Sequence, residues 1–238
     1  MRNILLLGGT GSVGSSSLQV IQENRNEFCL YGISFDRNVD KAFQIIKEFS
    51  PNYAHTNNEE AAKKLNEKCK DFDTQIIFGK NELQNLIIND DIDIIISAIS
   101  GFAGLETTIS AAKTGKTILL ANKESIVVAG DILMPLASSF NTLIIPVDSE
   151  HNAIHQCLAS CNDHKDISKV IITASGGPFL GKSINDLDAV TLDQALNHPN
   201  WSMGSKISID SATLVNKCLE LIEARYLFNL HESFFDLV

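Results

Sequence analysis

At 238 residues, 44% hydrophobic and 20% charged, the chain has the composition of a globular protein, long enough for one large domain or two smaller ones. A net charge of -10 with no compensating basic run disfavours long-range attraction to nucleic acid or to an anionic membrane surface. No apolar run approaches the ~18 residues of a membrane span, the first residues are too few in apolar character for a secretory signal, and the five cysteines are odd in number and scattered, so a cytoplasmic protein is expected.

Ile4 to Leu7 is a short apolar run ending in glycines, followed by the amphipathic stretch Val13 to Gln22, which predicts strand, tight turn and helix. Leu30 to Phe35 predicts a second strand, and Val39 to Phe49 a helix that Pro51 ends. A charged helix over Glu59 to Lys70 and a short strand over Gln75 to Phe78 come next, then the nearly continuous apolar strand Asp93 to Ile99. Gly104 to Lys113 and Thr117 to Ala121 repeat the helix and strand alternation, as do Ser125 to Phe140 and Thr142 to Val147. This alternation predicts an α/β fold with a doubly wound parallel sheet. Beyond Val147 the texture becomes polar and glycine-containing, which sets an expected boundary between a nucleotide-binding domain over 1–147 and a smaller α+β domain over 148–238. In the latter, one long helix from Ala212 to Phe228 is expected, capped by Asp210 or Ser211, and Ser233 to Val238 reads as a strand.

Gly9-Thr10-Gly11-Ser12-Val13-Gly14 fits G-x-G-x-x-G between a predicted strand and a predicted helix. Its glycines would let backbone amides approach a pyrophosphate at the positive end of a helix; the bland alternative is a structural tight turn. It is no P-loop, because Ser15 stands where that motif needs lysine. About 20 residues on, where the adenosine ribose is read, lie Asp36-Arg37-Asn38. Aspartate alone points to NAD, whereas Arg37 offers a charged fork for a 2'-phosphate, so NADP is favoured over a merely solvated turn. None of Tyr31, Tyr53 and Tyr226 has lysine four residues on, which excludes the short-chain dehydrogenase pair.

Asp148 and Glu150 follow a predicted strand, and alternation along an extended segment would point both to one side. Their hard oxygens suit Mg2+ or Mn2+, although a solvated acidic pair is the simpler reading of spacing alone. His151, His155, Cys157 and Cys161 have zinc-like spacing, but on one helix the histidines point about 100° or more away from Cys157, which argues against a single ion. Asn216, Glu220 and Glu223 share a helix face with Lys217 beside them, and Ser211, Asn216 and Lys217 supply the hydroxyl, amide and point charge of a phosphate clamp. A capped amphipathic helix with exposed polar residues is the alternative.

Taken together these segments resemble the 1-deoxy-D-xylulose 5-phosphate reductoisomerase family over essentially the whole chain. The resemblance is carried by the glycine-rich opening Gly8 to Gly14, by Leu120-Ala121-Asn122-Lys123-Glu124-Ser125 and by Pro146-Val147-Asp148-Ser149-Glu150-His151-Asn152-Ala153-Ile154. It continues in Ser175-Gly176-Gly177-Pro178-Phe179, His198-Pro199-Asn200-Trp201-Ser202-Met203-Gly204, Asp210-Ser211-Ala212-Thr213, Asn216-Lys217 and Glu220 to Arg225. It implies an enzyme that rearranges and reduces 1-deoxy-D-xylulose 5-phosphate to 2-C-methyl-D-erythritol 4-phosphate, with NADPH and Mn2+ or Mg2+, in non-mevalonate isoprenoid precursor synthesis. It further implies a homodimer.

By the same resemblance Asp148, Glu150 and Glu220 bind the metal, and Lys123 and Ser149 contact the reacting part of the substrate. Ser175, Ser211, Asn216 and Lys217 hold its phosphate, and His198 and Trp201 belong to a loop closing over it. NADPH is held by Thr10, Gly11, Ser12, Val13, Arg37, Asn38, Asn122, Lys123 and Glu124, with Met203 and Gly204 near the nicotinamide. Lys123, Asp148, Glu150, Glu220 and His198 are thereby the expected catalytic set. Asp36, where a smaller residue would repel a 2'-phosphate less, and Ala174 depart from the pattern. The family pattern runs on past Val238 into further strands and a helical domain, so this chain by itself is expected to bind NADPH and turn over little substrate. Another NAD(P)-dependent dehydrogenase, or a nucleotide-binding fragment without turnover, is the competing reading.

Overall fold

The computed structural model describes residues 1–161, 164–200 and 204–238. The chain divides into two compact units, Met1–Asp148 and Ser149–Val238.

In the first unit strands and helices alternate as β1 (Arg2–Leu7), α1 (Ser12–Glu23), β2 (Phe28–Ser34), α2 (Val39–Phe49), β3 (Tyr53–Thr56), α3 (Glu59–Lys68) and β4 (Gln75–Phe78). They continue as α4 (Lys80–Ile88), β5 (Ile94–Ser97), α5 (Leu105–Ala112), β6 (Thr117–Leu120), α6 (Lys123–Ser139) and β7 (Leu143–Pro146). The strands form one seven-stranded sheet in the order β4-β3-β2-β1-β5-β6-β7, every pair parallel. Strand order reverses at β1, between β2 and β5, the switch point where a doubly wound sheet receives its ligand. Leu5, Leu6 and Leu7 are fully buried without alternation, because both faces of a central parallel strand are covered.

Local sequence chemistry sets the ends of the helices. The Asn38 and Asn58 side chains cap α2 and α3 by accepting from the amides of Lys41 and Ala61. Helix α2 ends in left-handed Ser50, followed by Pro51.

Two elements of this unit are absent from the sequence reading. Strand β3 carries His55 and Thr56, which look like loop residues yet are buried, because the His55 Nε2 hydrogen donates to the Gly79 carbonyl at 3.1 Å and the Thr56 hydroxyl to that of Asp36 at 2.7 Å. Helix α4 buries Leu83, Leu86 and Ile87, an i, i+3, i+4 stripe that was readable.

The second unit contains α7 (Ser149–Leu158), β8 (Val170–Ile172), α8 (Ile184–Leu187), α9 (Leu192–Leu196), α10 (Ser205–Ala212), α11 (Val215–Phe228) and β9 (Phe235–Leu237), with β8 and β9 paired in parallel. Its core joins Ile154, Val170, Ile172, Ala224, Leu230 and Phe235. Three expectations are corrected. The extended segment expected through Glu150 gives way to α7, which begins at Ser149. The single helix expected over Ala212 to Phe228 is two helices, broken at Leu214 with φ 59°; leucine carries no left-handed signal, so the break is invisible to periodicity. The alternative of a capped amphipathic helix with exposed polar residues fails: Lys217, Glu220 and Glu223 are buried, while Leu214 and Ile222 are 52% and 40% exposed. Lys217 pairs with Glu220, and Glu223 lies beside the His151 ring, which makes that burial tolerable.

Candidate functional site

In the first unit the glycine-rich turn follows β1 at the switch point. Gly8 adopts φ 86°, and its amide and that of Gly9 donate to the Ser34 carbonyl. A Cβ on Gly14 would lie 2.5 Å from the Gly8 carbonyl oxygen, so the turn can close against α1 only with glycine there. The first-turn amides of α1, from Ser12 and Val13, thus face the region where an anion is stabilised at a helix N-terminus. Across this turn, at the start of α2, Arg37 is exposed and lies 3.8 Å from the Asp36 carboxylate, while the Asn38 carbonyl is occupied as a helix cap. Sequence reasoning missed Lys41. Its ammonium donates to the Thr10 carbonyl oxygen at 3.0 Å and to the Ser15 hydroxyl at 2.6 Å, tying α2 to the turn. A lysine one helical turn after Arg37 was the available signal.

Asn122 is buried and serves as a bracket. Its carbonyl accepts from the Ser125 amide at 2.8 Å, and its amide nitrogen donates to the carbonyls of Ile99 and of Gly101. The loops after β5 and β6 are thereby fixed to one another, with Lys123 and Glu124 in the first turn of α6. Lys123 Nζ lies 2.6 Å from Asp148 Oδ2, both nearly buried.

In the second unit, α7 carries Ser149 and Glu150 in its first turn, and the Ser149 hydroxyl donates to Glu150 Oε2 at 2.6 Å. Lys217, in the first turn of α11, reaches Glu150 Oε1 at 2.6 Å and Glu220 Oε2 at 2.5 Å, so two carboxylates from two helices flank one ammonium. The Asn216 amide donates to Glu220 Oε1. Beneath them His151, fully buried, bonds through Nε2 to the Glu220 backbone carbonyl at 2.8 Å, and its Nδ1 lies 3.5 Å from Glu223. That arrangement gives His151 a structural place apart from the zinc pattern, in which Cys157 and Cys161 are exposed.

The Ser175 hydroxyl lies 2.9 Å from His198 Nε2, and His198 Nδ1 accepts from the Asn200 amide at 3.2 Å, which assigns the ring hydrogen to Nε2 and makes Ser175 the acceptor. Gly177, at φ 68°, packs so closely that a Cβ would meet the Ser211 carbonyl at 2.7 Å. The turn from Ser175 to Gly177 therefore packs against the Ser211 backbone. Ser211 gets there from the last turn of α10, not from a helix N-terminus as the sequence suggested. Gly204 caps the start of α10. Trp201 and Met203 lie outside the described residues.

The family model described as 1-deoxy-D-xylulose 5-phosphate reductoisomerase matches residues 4–130, and the one for the C-terminal domain of that enzyme matches residues 144–228. A 1-deoxy-D-xylulose 5-phosphate reductoisomerase of Clostridium perfringens is 47% identical over 96% of this chain and 60% of its own length. A crystal structure of DOX-P reductoisomerase in complex with NADPH, fosmidomycin and magnesium superposes with a TM-score of 0.93 at 42% identity, covering 100% of this chain and 60% of the other. The Zymomonas mobilis enzyme in complex with NADPH gives 0.88 at 37% identity over 99% of this chain and 60% of the other. The chain thus spans about 60% of the length of the relatives it matches.

Proposed function

From its membership of the 1-deoxy-D-xylulose 5-phosphate reductoisomerase family, to which this chain belongs, we propose that it forms the NADPH-binding and metal-binding part of an enzyme converting 1-deoxy-D-xylulose 5-phosphate to 2-C-methyl-D-erythritol 4-phosphate, a step of non-mevalonate isoprenoid precursor synthesis. The observation that carries the reading beyond a plain dehydrogenase is the convergence of Glu150 and Glu220 on the single ammonium of Lys217. Two hard-oxygen donors already placed around one cation fit Mg2+ or Mn2+. Family resemblance adds Asp148, next to Ser149 in the chain, as the third ligand.

The bound ion would supply Lewis-acid polarisation of the substrate ketone, and NADPH the reducing hydride. The remaining work falls to the chain. Asn216, hydrogen-bonded to Glu220, and Ser149, hydrogen-bonded to Glu150, orient the two carboxylates. Ser175, Ser211, Asn216, Lys217 and His198 bind the substrate phosphate, with the His198 Nε2 hydrogen holding the Ser175 hydroxyl in place. Lys123, held at Asp148, offers an ammonium to a substrate oxygen. The glycine-rich turn, with Arg37 and Asn38, binds NADPH, and Asn122 fixes the loops that carry Lys123 and Glu124 beside it. On this reading residues 1–147 are the cofactor domain and 148–238 the metal and substrate domain; the protein is cytoplasmic and a homodimer. Among the described residues no helix is long and apolar enough to cross a membrane.

The test is oxidation of NADPH on addition of 1-deoxy-D-xylulose 5-phosphate with Mn2+, in parallel with calorimetry for NADPH and Mn2+. Binding of both NADPH and Mn2+ is expected, and the little oxidation that this chain performs by itself should require both substrate and metal. Oxidation that survives chelation of the metal, or a protein that binds no NADPH, would overturn the reading.

A further inference from the structure

We propose that Lys41 is a cofactor-selectivity residue that, with Arg37, recognises the ribose 2'-phosphate of NADPH from a position fastened to the glycine-rich turn. The inference rests on the reading that the first unit binds NADPH. In a doubly wound fold the adenosine ribose lies between the turn after β1 and the end of β2. Lys41 is the side chain that joins those two segments: it sits in the first turn of α2, and its Nζ donates to the Thr10 carbonyl at 3.0 Å and the Ser15 hydroxyl at 2.6 Å. A flexible stem is thereby immobilised, and much of the entropy that a free lysine loses on meeting a phosphate is already lost.

The surrounding charges make this cation count. Arg37, the expected reader of the 2'-phosphate, has the Asp36 carboxylate 3.8 Å away, which reduces its net attraction for an anion. Asp40, next to Lys41 in sequence, is drawn away to Lys68 on α3. The two acceptors that hold Lys41 are neutral, and among the described residues no carboxylate pairs with it. The Lys41 charge therefore offsets Asp36, the residue that departs from a phosphate-friendly pattern. NADH, lacking the 2'-phosphate, would gain little from it.

The experiment compares NADPH and NADH affinities of the parent, Lys41→Gln and Lys41→Arg by calorimetry at low and high salt, with thermal melting as a check on folding. Glutamine keeps an N–H donor for Thr10 and Ser15 but removes the charge. It should weaken NADPH about tenfold and NADH less than about twofold, with the NADPH loss shrinking at high salt, whereas arginine should keep NADPH within about threefold of the parent. Unchanged NADPH affinity in Lys41→Gln, or equal losses for the two cofactors, overturns the proposal and leaves Lys41 as a structural clip. A parent protein that binds neither cofactor overturns the functional reading itself, and this inference with it.

Discussion

His151 Nε2 donates to the backbone carbonyl of Glu220 at 2.8 Å, so the residue after one proposed metal ligand holds the main chain of another. The bond joins α7 to α11 inside the second unit, stacked against Phe228 and beside the buried Glu223. Removing it with His151→Ala leaves a buried carbonyl without this donor and a buried carboxylate without its neighbour. The expected loss is about 1–3 kcal/mol of stability, read from urea unfolding, and a variant as stable as the parent would contradict it.

Glu220→Gln removes a charged oxygen from the pair that flanks Lys217. Mn2+ affinity should fall at least about tenfold while NADPH affinity stays within about twofold, since the substitution leaves the first unit untouched. Calorimetric titration with each ligand decides it; equal Mn2+ affinity would remove Glu220 from the ligand set.

Gly177→Ala places a methyl group 2.7 Å from the Ser211 carbonyl in a backbone at φ 68°. The turn from Ser175 to Gly177, packed against the Ser211 backbone, must then shift, at a cost of about 1–3 kcal/mol. A lowered melting temperature together with weaker binding of inorganic phosphate is expected. Wild-type values for both would show that the turn tolerates a side chain.

Burial holds the His55 imidazole below its ordinary value of 6.5, against the smaller opposing effect of its bonds to Gly79 and Asn57. The unfolded chain therefore takes up a proton at a higher pH than the folded one. This residue's contribution is fully present above about pH 6.5 and is lost as pH falls from there through the lower folded value. His55→Gln, measured by chemical denaturation across mildly acidic pH, should flatten that part of the stability curve. A curve parallel to the parent's would assign the acid sensitivity elsewhere.

Much of the first unit is written locally. Helix α2 spans Val39–Phe49 as its periodicity and Asn38 cap require, β4 spans Gln75–Phe78, and the G-x-G-x-x-G turn falls between β1 and α1, because period, caps and glycines act within a few residues of chain. Sequence by itself therefore determined the alternating α/β fold, the turn at the switch point and, through whole motifs, the family. It did not determine β3, where His55 and Thr56 are buried only because Gly79 and Asp36 supply bonds from other segments. Nor did it reveal that α11 turns Lys217, Glu220 and Glu223 inward and leaves Leu214 and Ile222 exposed, since residues distant in the chain decide which face of a helix can be buried. Lys41 and His151 gained their places the same way. A side chain's partners across 31 and 69 residues of sequence separation exist only once the chain has folded, and those partners decide whether a charged or polar group is solvated surface or part of a site.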